Sequence, residues 1–187
     1  MLPKILRWIK NNVTVFLWTF VEKEIRNMTF DAIIGNPPYQ EIISDEGNNS
    51  SLGKQLFPGF MEFALKSNAR YVSLITPSRW FAGDAQDKSF LKLREYIKEN
   101  NHMQKIFNYP LNTEVFSNVV IKGGVNYFIS DKQYNGNVDF YTIENGKISH
   151  QNRKLFEDDL DIVLSNAIEY SIINKVKNNY IVIHLLI

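Results

Sequence analysis

The sequence contains no cysteine and only three histidines, at positions 102, 150 and 184. A disulfide framework, a thiolate zinc site and a cysteine nucleophile are therefore excluded. Because the histidines are widely spaced along the chain, we also expect no metal site. A chain without cysteine suits a cytoplasmic protein, and the cytoplasm is the location that we expect.

An excess of charge of either sign is also missing, since 21 Lys and Arg balance 20 Asp and Glu to a net charge of +1. Nucleic-acid-binding domains usually have a basic surplus or stripe, and only a local basic patch is compatible with this total. None of the nine glycines belongs to a G-x-G-x-x-G pattern. The sequence therefore lacks the dinucleotide-binding fingerprint.

No apolar run is long enough to span a membrane. Residues 13–21 (VTVFLWTFV) follow three basic residues and resemble part of a signal peptide, but Glu22, Lys23 and Glu24 come next, without a cleavage site. The run is about half of the ~20 residues that a bilayer requires. We interpret it as core material, set residues 1–27 apart as an atypical N-terminal segment, and expect no association with a membrane.

Short apolar runs alternate with helical patterns along the rest of the chain, which is typical of an α/β domain with a mostly parallel sheet. Asn145-Gly146 lies between two alternating runs and predicts a C-terminal β-hairpin over residues 137–149. The predicted strands are residues 31–35, 70–76, 103–108 and 125–130, and the predicted helices are residues 54–67, 87–100 and 159–177.

Four local patterns add detail to this outline. Residues 40–53 are polar and rich in Ser, Asn and Gly, which predicts a mobile loop. Asp158 or Asp159 is the expected N-cap of the last helix. The final residues, YIVIHLLI, indicate either a packed strand or a chain end that is not the natural one. The basic residues of the second helix are typical of a solvated helix face, and they are Lys88, Lys92, Arg94 and Lys98.

The sharpest feature is the segment of residues 30–39 (FDAIIGNPPY), in which a predicted buried strand delivers Asn36, Pro37, Pro38 and Tyr39 to the loop at its carboxyl end. In open α/β sheets this edge is where ligands bind. The two prolines fix two backbone angles and remove two hydrogen-bond donors, so the loop is stiff. The structural alternative is a Pro-Pro turn after a strand, with Asn as a turn former.

These residue types suit methyl transfer to an amino group that is conjugated with a ring. The Asn36 side-chain oxygen and the Pro37 carbonyl would accept the two amine hydrogens, draw the nitrogen toward a tetrahedral geometry and aim its lone pair. Tyr39 would stack on the ring once the base leaves a duplex. Such stacking is worth on the order of 1–3 kcal/mol, comparable to the cost of unstacking a base.

This segment resembles the catalytic motif of amino-group methyltransferases. Three further segments, in their order and spacing, resemble the adenine-specific DNA methyltransferases of restriction-modification systems, some of which are fused to an endonuclease. They are residues 75–81 (ITPSRWF), 114–119 (EVFSNV) and 121–128 (IKGGVNYF). The resemblance implies a partial Rossmann-like fold, S-adenosylmethionine as the cofactor and double-stranded DNA as the substrate.

The resemblance also implies roles for individual residues. Residues 36–39 match the catalytic loop, and Asn36 would also contact the cofactor. Pro77 and Trp80 match the loop after the next strand, which borders the same site. Phe116 is the candidate for a second base-stacking aromatic.

The family's glycine-rich cofactor loop lies upstream of its catalytic motif, but the 35 residues before Asn36 contain only one glycine, Gly35. We therefore expect a fragment, with the catalytic half of the domain at residues 28–150 and a C-terminal helix and apolar tail at 151–187. Such a fragment would act with a missing N-terminal half or with a partner subunit.

Three alternatives stay open. The same tetrapeptide occurs in methyltransferases of a glutamine amide in release factors and of RNA. The missing cofactor loop is equally compatible with a non-catalytic remnant or subunit. Arg79 either contacts DNA or is a surface residue beside a core Trp80, and the sequence weighs the two equally.

Overall fold

The computed structural model describes residues 30–41, 54–85, 87–117, 119, 121–157 and 160–184. Most of the predicted loop at 40–53 and the whole segment 1–27 lie outside these residues. The strands are β1 (Ala32–Gly35), β2 (Gln40–Glu41), β3 (Lys54–Gln55), β4 (Tyr71–Pro77), β5 (Met103–Tyr109), β6 (Val125–Asp131), β7 (Val138–Glu144) and β8 (Lys147–Arg153). The α-helices are α1 (Phe57–Lys66), α2 (Ser89–Asn100) and α3 (Ala167–His184), and two 3-10 helices span Ser78–Phe81 and Asn112–Glu114.

Six of the described strands form one open sheet in the order β1-β4-β6-β5-β7-β8. This arrangement confirms the α/β class, and the β7–β8 hairpin turns at Asn145-Gly146 with φ of 53° and 70° as predicted. The sheet is more mixed than expected. The β1–β4 and β5–β7 pairs are parallel, but β6 runs antiparallel between β4 and β5. The two short strands β2 and β3 form a separate antiparallel pair.

Helices α1 and α2 cover one face of the sheet and form the core with it. Pro58 lies in the first turn of α1, where its missing N–H costs nothing, so this helix forms as predicted. The rings of Phe57 and Phe90 join the two helices at a centroid distance of 5.4 Å. The buried side chains of this layer include Met61, Ala64, Leu65, Leu93 and Ile97, packed against Val72, Leu74, Ile106, Phe128 and Phe140 of the sheet.

The opposite face of the sheet has a row of stacked rings. Phe107 stacks on Tyr127 and on Tyr141, each at 4.6 Å, and Tyr141 stacks on His150 at 4.4 Å. These residues are direct cross-strand neighbours on β6, β5, β7 and β8. The row therefore fixes the register of four strands through side-chain contacts.

A row of buried polar side chains crosses the sheet at the carboxyl ends of β4, β5 and β7. Thr76, Asn126, Asn108 and Thr142 are paired in register across β4, β6, β5 and β7. Each lies on the helix-covered side and is buried. Hydrogen bonds to neighbouring side chains and carbonyls satisfy them, as burial of polar groups requires.

Two predicted elements differ from the structure. The strand at 31–35 forms parallel to β4 but is the outer strand of the described sheet, so Ile34 is 81% exposed rather than buried. The last helix begins at Ala167, because Asn166 accepts a hydrogen bond from the Glu169 N–H and acts as its N-cap. It continues to His184, so residues 180–184 are helical and not a strand.

The turn before β6 brings two backbones into close contact. Gly123 and Gly124 have φ of 85° and 77°, a region that glycine adopts readily. A Cβ on Gly124 would lie 2.2 Å from the Tyr109 carbonyl oxygen. The Gly124 carbonyl in turn accepts a hydrogen bond from the Ser78 N–H at 3.0 Å. The turn therefore joins the ends of β4 and β5.

We expect Asn126→Ala to lower the free energy of unfolding by about 1–3 kcal/mol, because it leaves the buried Ser78 hydroxyl and Thr76 carbonyl short of a donor. Denaturant unfolding measures the change. Asn135→Ala, at an exposed asparagine, is the control and should change stability by less than about 0.5 kcal/mol. Equal effects of the two substitutions would contradict the role of the polar row.

We expect Gly124→Ala to destabilise the protein by roughly 1–3 kcal/mol or more, because a Cβ there meets backbone and the φ is positive. Gly59→Ala is the matched control. It lies in α1 with open space around its Cβ position, and should stabilise the protein by up to about 1 kcal/mol. Thermal melting of both variants tests this opposite sign.

Candidate active site

The carboxyl ends of β1, β4, β5 and β7 meet at one edge of the sheet, since these strands point the same way. Asn36 follows β1 directly, and Pro77 is the last residue of β4. The predicted catalytic loop therefore lies at the sheet edge where α/β proteins bind ligands.

The loop at residues 36–39 is anchored at both ends. Gly35 pairs with Leu74 in the parallel β1–β4 ladder. At the other end, the Tyr39 carbonyl accepts hydrogen bonds from the Leu56 N–H at 3.0 Å and the Phe57 N–H at 3.5 Å. These donors belong to the start of α1, whose first N–H groups have no partner within the helix. The prolines between the anchors leave the loop little freedom.

Within this loop, Asn36 and Pro38 are exposed, whereas Pro37 and Tyr39 are half-buried. The Tyr39 ring packs against the hydrophobic core. Its hydroxyl is buried and has no hydrogen-bond partner among the described residues, and burial raises the pKa of this phenol. Tyr39 is therefore a neutral, largely apolar surface and is unsuited to accept or donate a proton at neutral pH.

A cavity of about 430 Å³ opens beside this loop. Tyr39 and Pro77 form part of its wall, so the structure places these two predicted site residues together. The charged side chains that line it, Arg79 and Lys122, are both cationic. The remaining lining residues are Gln40, Gln55, Val119 and Ile121.

Trp80 was predicted to border this site, and the structure corrects that placement. It is 0% exposed and packs edge-on against Phe81 at 4.7 Å in the core. The cause is the 3-10 helix after Pro77, which directs Trp80 inward while Arg79 is exposed. Phe116 is half-buried in the loop after β5 and does not line the cavity.

Arg94 holds the segment that follows β4. It is 6% exposed and donates from Nη1 to the Trp80 carbonyl at 2.9 Å and the Gly83 carbonyl at 2.8 Å. Burial lowers the pKa of its guanidinium, which nevertheless remains charged because an arginine starts so high. The predicted solvated helix face is thus wrong at Arg94, which fixes the position of the loop that contains Arg79.

Lysine and glutamine residues of the cavity wall were missed by the sequence analysis. Lys122 lies within a segment that was noted only for its resemblance, next to Gly123-Gly124. The sequence signal that could have identified Lys122 as a site residue is its position directly before two successive glycines. Gln40 and Gln55 are brought together by the pairing of β2 with β3. Because residues 42–53 separate these two strands in the sequence, local patterns could not predict the pairing.

The polar groups of the site fit only one end of S-adenosylmethionine. Asn36 offers a neutral oxygen acceptor, but it is exposed and does not line the cavity, whose wall includes only Tyr39 of this loop. No carboxylate or thiol among the described lining residues competes for an electrophilic methyl group. The described lining residues include no acidic side chain that would hold the two ribose hydroxyls. The described residues therefore suit the methyl end of the cofactor, and the groups for its nucleoside end are not among them.

Among the described residues, no cluster of three or more His, Asp or Glu could ligate a metal ion. No helix in the described ranges has the length and apolar character needed to cross a membrane.

Residues 4–116, more than half of the chain, match the family of Eco57I restriction-modification methylases. A relative from Mycoplasma pneumoniae, described as an uncharacterized adenine-specific methylase, is 32% identical over 126 residues. That alignment covers 67% of this chain and 28% of the relative, so the chain spans less than a third of that protein's length.

Two of the solved structures to which the chain is similar come from type I restriction-modification systems. One is the methyltransferase subunit from Streptococcus thermophilus, with 19% identity, a TM-score of 0.42, and coverage of 81% of this chain and 32% of the subunit. Another, from a study of type I complex assembly, has 10% identity, a TM-score of 0.47, and coverage of 85% and 31%. By the match over residues 4–116, the chain belongs to the Eco57I restriction-modification methylase family.

Proposed function

We propose that this chain provides the catalytic loop of an S-adenosylmethionine-dependent methyltransferase that modifies the exocyclic amino group of adenine in double-stranded DNA. The enzyme would serve a restriction-modification system in the cytoplasm. One observation supports this most. The rigid Asn36-Pro37-Pro38-Tyr39 loop ends in Tyr39, which lines a cavity at the ligand-binding edge of the sheet, in a chain of the restriction-modification methylase family.

Asn36 and Pro37 would act on the amino nitrogen by position and polarity. The Asn36 side-chain oxygen and the Pro37 carbonyl accept the two N–H groups, so the nitrogen lone pair loses conjugation with the ring and points away from these acceptors. Because the loop is anchored at β1 and α1, the Pro37 carbonyl and the backbone that carries the Asn36 side chain are held in place before the base arrives. No covalent enzyme intermediate is needed.

The cofactor, when bound, supplies a methyl group that is electrophilic because it is attached to a sulfonium. That methyl group would pass to the amino nitrogen, and the electron pair of its bond to sulfur would stay on sulfur. The extra proton then leaves the nitrogen. Both acceptors are neutral and retain no proton, and Asn36 is exposed, so water at the open side of the loop receives it.

Tyr39 would stack on the extruded base. Its ring is fixed against the core and its raised pKa keeps it uncharged, which favours contact with a flat aromatic ligand. Pro77 forms another apolar part of the same wall. Phe116 stays a candidate for the second stacking ring only if the loop after β5 moves when DNA binds.

We expect DNA adenine methylation to depend on Asn36. The chain is expressed together with the polypeptide that would complete its cofactor site, in bacteria that lack adenine methylation, and N6-methyladenine in genomic DNA is measured by mass spectrometry. Asn36→Ala should lower the signal by about 100-fold or more, since it removes an acceptor used in the transition state. Asn135→Ala is the control and should leave it unchanged.

The same cells test the other substrates. Methylation confined to RNA, or to a glutamine of a release factor, would contradict the DNA assignment. No methylation of any of these, when this chain is folded and the second polypeptide is present, would favour the non-catalytic subunit.

We further propose that the cofactor is held jointly with a polypeptide outside these 187 residues, since the sequence has no glycine-rich loop before Asn36. Calorimetry with S-adenosylmethionine should therefore give a dissociation constant weaker than about micromolar for this chain alone, a binding free energy weaker than about −8 kcal/mol. Tighter binding would contradict a shared site.

A further inference from the structure

The cavity wall contains two cationic side chains. Arg79 and Lys122 are exposed and line the cavity next to Tyr39, and no acidic side chain is among the lining residues that the structure describes. The ion pairs found within the described residues all involve other side chains. The whole chain is nearly neutral, so this local excess of positive charge is not a reflection of its composition.

Both cations are attached to rigid backbone. Arg79 lies in the 3-10 helix after β4, which the buried Arg94 holds by two carbonyls. Lys122 precedes Gly123, whose missing side chain lets the Arg79 stem approach closely, since a Cβ there would lie 3.2 Å from Arg79 Cγ. The Ser78 N–H to Gly124 carbonyl bond ties the two segments together.

The charge of the cavity wall selects among ligands. S-adenosylmethionine has two positive groups and one carboxylate, so a pair of cations does not favour it. Adenine itself is neutral. A phosphodiester is the component of the proposed substrate that two adjacent cations attract, and the guanidinium fork matches phosphate oxygens bidentately.

Arg79 also reaches a second, larger cleft. This cleft of about 590 Å³ lies between the 3-10 helix and α3, and Arg79 forms part of both walls. Its acidic lining residue, Glu169, is engaged in capping α3 through Ser165 and Asn166. Arg79 is therefore accessible from both cavities.

We propose that Arg79 and Lys122 form a phosphate-binding pair that holds the DNA backbone beside the extruded base. This inference rests on the proposed function. An enzyme that extracts a base must grip the strand on which that base lies, because phosphate contacts fix the position of the nucleic acid. The pair is located within the same cavity as Tyr39, so it would grip the strand at the target nucleotide.

The salt dependence of DNA binding tests the pair. Fluorescence anisotropy of a labelled duplex, at salt between about 50 and about 200 mM, gives the slope of log affinity against log salt. Arg79→Gln and Lys122→Gln should each reduce the slope by about 0.9, or about 0.7 if the contacted strand is single there. Lys132→Gln is the control, since Lys132 lies after β6 at the opposite sheet edge, and should leave the slope unchanged.

Charge-conserving variants and a variant of the catalytic loop show whether a change of slope comes from lost charge or from disturbed folding. Arg79→Lys and Lys122→Arg keep the charge and should retain the wild-type slope. A loss of slope in either would overturn the electrostatic role, as would an unchanged slope in both glutamine variants. Asn36→Ala should bind with the wild-type slope, because its contact is with a neutral base.

DNA binding by the wild-type chain tests the proposed substrate, and the salt slopes of the glutamine variants test the phosphate-binding pair. If the wild-type chain binds no DNA, or binds duplex RNA more tightly, the DNA substrate is wrong and the phosphate pair is wrong with it. If the chain binds DNA and all three glutamine variants behave alike, only the phosphate pair is wrong.

Discussion

The buried amide of Asn126 determines where the ends of three strands lie. It is 0% exposed, and its nitrogen donates at 3.3 Å to both the Thr76 carbonyl and the Ser78 hydroxyl. Ser78 donates onward to Asn108 at 2.7 Å. At buried positions each donor or acceptor without a hydrogen-bond partner costs about 1–3 kcal/mol, so these groups have few alternative arrangements. The antiparallel strand β6 thus fixes the position of the carboxyl end of β4 relative to that of β5.

Buried arginines fix the position of irregular segments that lack strand-to-strand hydrogen bonds. Arg94 binds two carbonyls of the loop after β4. Arg153 is 2% exposed, donates to the Leu164 carbonyl and lies 4.4 Å from the Phe140 ring. Each guanidinium exchanges water for backbone oxygens or an aromatic face, which offsets the cost of burying its charge. The cavity wall is consequently made of irregular backbone that is nevertheless rigid.

Local patterns predicted most of the elements and the position of the catalytic loop. The apolar runs predicted β1, β4, β5 and β6 to within one or two residues, whereas β2 and β3 were not predicted. Pro58 and Asn145-Gly146 marked a helix start and a hairpin correctly. The insertion of β6 could not be predicted, because strand order depends on contacts between residues far apart in sequence. The inward turn of Trp80 depends on a 3-10 helix that the Pro77-Ser78 sequence does not specify alone. For the last helix, Asn166 and Glu169 have the spacing of a capping box, so that signal was present and overlooked.

The polar row also determines where the chain can change length. A one-residue insertion within β6 would turn Asn126 to the opposite face and present Val125 or Tyr127 to Thr76 and Asn108, since side chains alternate along a strand. The connection from 111 to 122 is different, because the hydrogen bond from Ser78 and the close fit of Gly124 fix its downstream end independently of its length. Variation in length among related proteins should therefore accumulate in that connection, while the spacing between Gly124 and Asn126 stays constant.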